Sequence, residues 1–314
     1  MLKTMRFSLL FRTNRSALFL LCLLAFALAA ALAQSPAVTL TPALVEAGSP
    51  ELIRVDLAGV ASINGEWMGH KLEFFRGPDG QPGPEGRSEL DGRSWFALAG
   101  VDVEAAAGPS ELKISARLAQ GGVRELDSTV EILPAHYRTS SLTVAPQFIE
   151  PGPEELKRIE EEKQLKERIF TVSAPEPLWT GSFQPPVTAE PTDSFGTRRT
   201  FNGQLASIHK GMDFRAVEGT PVRAANRGVV VLARPLYYEG NCVVIDHGLN
   251  LFTISMHLSQ IAVREGQPVA AGDLLGLSGA TGRVTGPHLH WGVRWREAYL
   301  DPAKLLQLNL NGVR

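Results

Sequence analysis

Short apolar runs, some alternating with polar positions at period two, are set off by glycine and proline along much of the chain. The run Leu112-Lys113-Ile114-Ser115-Ala116-Arg117-Leu118 alternates without a break, the mark of a strand with one face in a core and the other in solvent. Strands are predicted over 51–57, 71–75, 94–97, 111–118 and 128–133, with the Gly- and Pro-rich stretch 77–86 as a turn region. Short strands at this spacing predict a small β-sandwich of immunoglobulin-like type over residues 36–134. The period changes once. Residues 154–170 are rich in Glu, Lys and Leu, contain neither Gly nor Pro, and follow Pro153, with acids crowding the first turn. This predicts one helix with a solvated, charged face inside a connector spanning 135–192. From 193 to 303 the pattern is β again, with strands over 228–233, 241–246 and 251–257, and residues 304–314 read as a tail. The fold class is therefore mainly β: a sandwich, a helical connector and a Gly-rich antiparallel domain.

The first 33 residues follow a different rule. Lys3, Arg6, Arg12 and Arg15 precede an apolar run over 17–30, which Ala31-Leu32-Ala33 closes before Gln34. That is the pattern of a signal peptide cleaved after Ala33. The run falls short of the roughly 20 residues a bilayer span needs. The expectation is export to the periplasm, the cell envelope or the medium, with no stable membrane span after cleavage. Setting this segment aside leaves 27 basic against 33 acidic residues, a formal charge of −6. Nucleic acid is then a poor partner, because its binding rests on basic contacts. Cys22 has no small residue just before it and goes with the segment. Cys242 opens the apolar run Cys-Val-Val-Ile and reads as a small buried hydrophobe, so no internal disulfide is available.

Candidate chemistry gathers in the last third. His209-Lys210-Gly211-Met212-Asp213, His257 and His288-Leu289-His290 supply four imidazoles and a carboxylate. In 288–295, alternation puts Leu289, Trp291, Val293 and Trp295 on one face and His288, His290, Gly292 and Arg294 on the other. The same rule over 251–258 puts Phe252, Ile254, Met256 and Leu258 on an apolar face, with Thr253, Ser255 and His257 on a cleft-facing side. A lone HxxxD arises often by chance, and a lone HxH says only that two rings share a face. Two strands that each turn histidine away from the core are hard to explain by packing. Three N/O ligands with one position left open are the recipe for a catalytic zinc site. His70, His136 and His247 read as surface or structural residues.

The segment 193–302 resembles the lysostaphin-type, LytM-like metallopeptidases that act on peptidoglycan. The likeness lies in Ser194-Phe195-Gly196-Thr197-Arg198, His209-Lys210-Gly211-Met212-Asp213, Gly219-Thr220-Pro221-Val222, Gly240-Asn241, Asp246-His247-Gly248, Met256-His257-Leu258-Ser259, Gly279-Ala280-Thr281-Gly282 and Thr285-Gly286-Pro287-His288-Leu289-His290-Trp291. The resemblance implies that His209, Asp213 and His290 bind one zinc ion per chain, and that His288 and His257 are catalytic histidines beside it. Two histidines and an aspartate leave a fourth position for water, whose pKa zinc lowers to about 7. His288 would accept that proton and His257 would steady the oxyanion, although either ring can take either part. One position departs from the family pattern: Ser255 stands where an aromatic, usually Tyr, is found two residues before the second histidine.

The function expected from this is an exported zinc endopeptidase that cuts peptide cross-links or stems of peptidoglycan. The alternative within the same fold is a non-catalytic protein that binds the wall or activates another hydrolase. Such relatives typically lack zinc ligands, and here the full set is present. A metal-binding adhesion protein working through the sandwich is a third reading, which the paired histidines argue against. The N-terminal sandwich remains a candidate surface for a protein partner.

Overall fold

The alternating segments of the N-terminal half form two sheets that share one core. A computed structural model describes residues 37–77, 94–203 and 205–313 of the chain. The expected signal segment and residues 78–86 of the turn-rich stretch lie outside the described residues. One sheet runs in the order Val38–Thr41, Pro50–Asp56, Ser94–Gly100 and Phe75–Arg76. The other runs Val45–Glu46, Ser128–Leu133, Gly108–Leu118, Val60–Trp67 and His70–Leu72, with Val123–Glu125 added on Gly108–Leu118. Leu112, Ile114 and Ala116 are fully buried while Glu111, Lys113 and Arg117 are exposed, which is the alternation read from the sequence. The segment 71–75 does not form one strand. Met68 and Gly69, both at positive φ, close a tight hairpin to His70–Leu72, and the chain then crosses so that Phe75–Arg76 joins the other sheet.

The C-terminal half is built on an eight-stranded sheet. Its order is Pro191–Asp193, Met212–Phe214, Leu289–Trp295, Leu251–Leu258, Gly240–Asp246, Gly228–Leu236 and Pro268–Val269, with Ala298–Leu300 paired on Leu289–Trp295. Every pairing in it is antiparallel. Both faces of this sheet are covered. Val243, Ile245, Leu251, Trp291, Val293 and Trp295 pack into the main core. Leu232, Cys242, Val244, Phe252 and Ile254 face the connector helix Pro153–Phe170, which presents Leu165, Ile169 and Phe170 to them. Glu154, Glu160, Glu161 and Glu167 of the helix lie in solvent, as its composition predicts, whereas Glu162 is largely covered and accepts from Tyr237 N at 2.7 Å.

The connector does more than join domains. Its strand Thr139–Leu142 pairs in parallel with Arg198–Phe201, which forms a hairpin with Leu205–Ile208 leading into His209. Trp179 and Phe183 are buried in the main core. The supposed tail is likewise packed: the helix Pro302–Gln307, capped by Asp301, leads to Leu308, Leu310 and Val313, all buried. The sandwich docks on the segment just before this helix. Asp102 accepts from Tyr299 N at 2.8 Å, Gly48 O accepts from Asp301 N at 2.7 Å, and Lys304 pairs with Glu46. No helix among the described residues is long and apolar enough to cross a membrane.

Candidate active site

Strand register brings the HxxxD and HxH motifs together. Met212–Phe214 lies beside Leu289–Trp295 with Asp213 directly opposite His290, so carboxylate and imidazole project from the same face. His209 enters from the hairpin before this strand. Asp213 Oδ1 is 3.0 Å from His209 Nε2 and 2.9 Å from His290 Nδ1, and the two nitrogens are 2.9 Å apart. All three residues are buried. Gly211 makes the arrangement possible. A Cβ there would sit 2.4 Å from His290 Nε2 and 2.8 Å from the Trp291 carbonyl.

The donor chemistry of this trio calls for a cation. His209 Nδ1 donates to the Ser194 carbonyl at 3.0 Å, which leaves Nε2 as a bare lone pair toward Asp213. Burial pushes the pKa of His290 below the usual histidine value, against the pull of Asp213. Burial pushes Asp213 up, but the two histidines beside it outweigh that effect and hold the carboxyl below the usual carboxylate range. Three acceptor-type atoms sharing at most one proton repel one another unless a positive ion sits among them. Tetrahedral zinc at bonds of 2.0–2.2 Å spaces neighbouring ligand atoms about 3.3 Å apart, close to the observed triangle. The three residues therefore fit a metal ion of this kind.

The sequence profile described as peptidase family M23 matches residues 207–302, the stretch that holds all three. The chain carries a peptidase family M23 domain. It is 54% identical over 83 residues to the peptidoglycan DD-endopeptidase ShyA of Vibrio cholerae, a match covering 26% of this chain and 19% of ShyA. It is 39% identical over 98 residues to the DD-carboxypeptidase/endopeptidase Mpg of Neisseria meningitidis, covering 31% of this chain and 23% of Mpg. The match thus spans about a fifth of the length of these relatives. A crystal structure of a putative peptidase M23 from Pseudomonas aeruginosa is similar over 83% of this chain and 94% of that one, with 28% identity and a TM-score of 0.60. That coverage carries the likeness beyond the M23 domain into the N-terminal half.

Beside the trio in the M23 domain lie the other two imidazoles. His288 Nδ1 donates to the Gly286 carbonyl at 2.8 Å, and its Nε2 is 3.8 Å from Asp213 Oδ1. His257 Nδ1 donates to the Thr281 carbonyl at 2.8 Å, and its ring centroid is 5.0 Å from that of His288. A carbonyl only accepts, so both rings carry their proton on Nδ1 and turn an Nε2 lone pair to the cleft. Burial, with the neighbouring His290 and His288, lowers the pKa of His257 to about 3, so this ring is neutral near pH 7.

The route by which His257 reaches the cleft overturns the simple alternation. Register pairs Met256 with His290 and Ser255 with Trp291. Ser255 and Thr253 therefore lie on the core face, each 3% exposed, and Phe252 and Ile254 lie beneath the helix. A bulge between the Ser255 and Leu258 pairings, with His257 at φ 64°, turns two successive residues, Met256 and His257, to the cleft and returns Leu258 to the core. The expectation that Ser255 shares the side of His257 is corrected by this bulge. A side chain at 255 points into packing, so the missing aromatic has no direct place at the substrate.

Other residues of the site carry no local signal in the sequence. Arg199 Nη2 lies 2.7 Å from Asp213 Oδ2 and also pairs with Asp193, whose carboxyl is held below its usual range by that guanidinium against the effect of burial. It neutralises the far oxygen of Asp213 and fixes its orientation. No spacing rule links Arg199 to an acid fourteen positions on; only the hairpin does. The cleft, about 900 Å³, is further lined by Tyr238, Glu239 and Arg283, with Glu104 contributed by the sandwich. His247 is structural, as expected. It donates to the Arg227 carbonyl, accepts from Thr253, is fully buried and has its pKa lowered to about 4 by burial.

Proposed function

We propose that the chain is an exported zinc endopeptidase that hydrolyses peptide bonds in the cross-links or stems of peptidoglycan, with one zinc held by His209, Asp213 and His290. The observation that carries this reading is a buried trio of lone-pair donors adjoining two imidazoles whose Nε2 atoms face one cleft. The names of ShyA, a peptidoglycan DD-endopeptidase, and of Mpg, a DD-carboxypeptidase/endopeptidase, support the substrate class. The signal-like N-terminus supports release to the periplasm or cell envelope, where that substrate lies. When bound, zinc supplies Lewis acidity, polarising the substrate carbonyl and making water a stronger acid.

The protein groups do the rest. His288 takes the proton of the attacking water at Nε2, where the positive charge it gains lies near Asp213. It then passes that proton to the nitrogen released as the C–N bond breaks. His257, held by Thr281 and neutral near pH 7, turns its Nε2 lone pair to the same cleft and is the second ring placed to accept a proton there. Arg199 holds Asp213 in place throughout.

The test is digestion of purified cross-linked and linear muropeptides, with products identified by mass. Zinc-loaded protein is expected to yield new amine and carboxyl ends, to lose this on chelation and to regain it with zinc. His288→Ala is expected to keep one zinc per chain and lose about 10²–10⁴-fold in turnover. Zinc-loaded protein that binds sacculi but cuts nothing would make it a wall-binding or activating protein instead.

A further inference from the structure

The proposed chemistry makes no use of Arg283, a rigidly held cation of the cleft. Arg283 stands in the loop that runs from Thr281, which holds His257, to His288. Its guanidinium carbon lies 4.6 Å from the ring centroid of Phe201 and 4.6 Å from that of Tyr238. The group is thus held between two aromatic rings, one from the hairpin and one from the loop before Gly240–Asp246. Its backbone is pinned as well. Arg283 N donates to Tyr238 O at 2.8 Å, and Gly282 packs so tightly that a Cβ would lie 2.3 Å from Gly240 N. Tyr237 and Tyr238 are buttressed in turn by Phe148 of the connector.

What this guanidinium lacks is an anion. Among the described residues it makes no side-chain hydrogen bond and no ion pair. The neighbouring acid, Glu239, is taken by Lys166 of the connector helix. Arg199 is occupied by Asp193 and Asp213, and Lys210 lies 4.0 Å from Glu104. Arg283 is half-buried, and burial pushes its pKa below the usual guanidinium value. A rigid, partly desolvated fork of donors facing a substrate cleft is built for a planar anion, which a carboxylate matches with two parallel hydrogen bonds.

We propose that Arg283 is a specificity-determining residue that binds a free carboxylate of the peptide substrate, with Phe201 and Tyr238 setting its plane. This rests on the peptidase reading and narrows it: the bond cut belongs to a peptide with a free carboxyl group near the scissile bond, as in stem-to-stem cross-links, not to a run of glycines.

The experiment uses the zinc-loaded full chain and two cross-linked muropeptides that differ only in whether the carboxyl groups beside the scissile bond are free or carboxamides. The wild type is expected to cut the free acid with a kcat/KM about 10–100-fold higher, mostly through KM. Arg283→Gln is expected to lose that factor on the acid, to cut the amide within about twofold of wild type, and to retain its zinc. Arg283→Lys, which keeps the charge without the fork, is expected to fall between. An equal loss on both substrates, or a wild type with no preference, would overturn the proposal; the second outcome needs no variant at all. A wild type that cleaves neither peptide removes the peptidase reading and the proposal with it.

Discussion

A single backbone angle decides which side chains meet the substrate. His257 is one of six described non-glycine residues at positive φ, and its left-handed turn brings the ring beside His288 while Ser255 stays in the core. Ser255 is paired with Trp291 on one side and Val243 on the other. Ser255→Tyr is therefore expected to act through packing. Forcing a phenol into this layer costs about 1–3 kcal/mol, and for a chain of this size each kcal/mol lowers Tm by about 2–4 °C. Thermal melts of wild type and variant check this. An unchanged Tm together with a changed KM would place the side chain in the cleft and refute the register argument.

Between strands, the limiting feature is how closely the turn before Met212–Phe214 passes the ring of His290. A methyl group at position 211 would meet His290 Nε2 at 2.4 Å, well inside contact distance. Gly211→Ala is expected to push the ring out of the trio and weaken zinc binding by at least about 10–100-fold, the loss typical when support for a ligand is removed. Competition with a chelator of known affinity measures it. Full affinity in a folded variant would mean that the strand can yield without disturbing the ligand. The connector matters at this scale too. Its helix fills the sheet face beneath Ile254 and reaches the cleft loop through Lys166 and Glu239.

Across the whole molecule, the seam between sandwich and M23 domain holds an acid in an unusual state. Glu51 is fully buried beside Ser49, next in chain to Gly48, which accepts from Asp301. One of its oxygens has no partner among the described residues, and burial raises its pKa from 4.5 to about 8. The folded state thus binds a proton more tightly than the unfolded state does. This stability is present below about pH 4.5 and is lost as pH rises toward 8, at up to about 1.4 kcal/mol per unit. Glu51→Gln removes the titration. The variant is expected to match wild type near pH 5 and to melt higher at pH 8.5. Parallel Tm–pH curves for the two proteins would show that Glu51 is not buried as a neutral acid.

That His209, Asp213 and His290 gather, with His257 and His288 beside them, could be read from the chain because two histidine motifs and a third histidine occur together in one segment and the short motifs around them recur in one family. The alternation in 112–118 and the helix ending at Phe170 were legible because each depends on neighbours within a few positions. What the sequence could not state is anything that depends on contact between distant segments. The bulge that inverts the faces of Leu251–Leu258 breaks the period-two rule at one residue, and no local preference marks it. Arg199 neutralises Asp213, and Arg283 is stacked between Phe201 and Tyr238, only because a hairpin and two loops converge on one edge of the sheet. The supposed connector and tail became parts of the core because the sheet has two apolar faces, and an exposed apolar face must be covered by whatever chain remains.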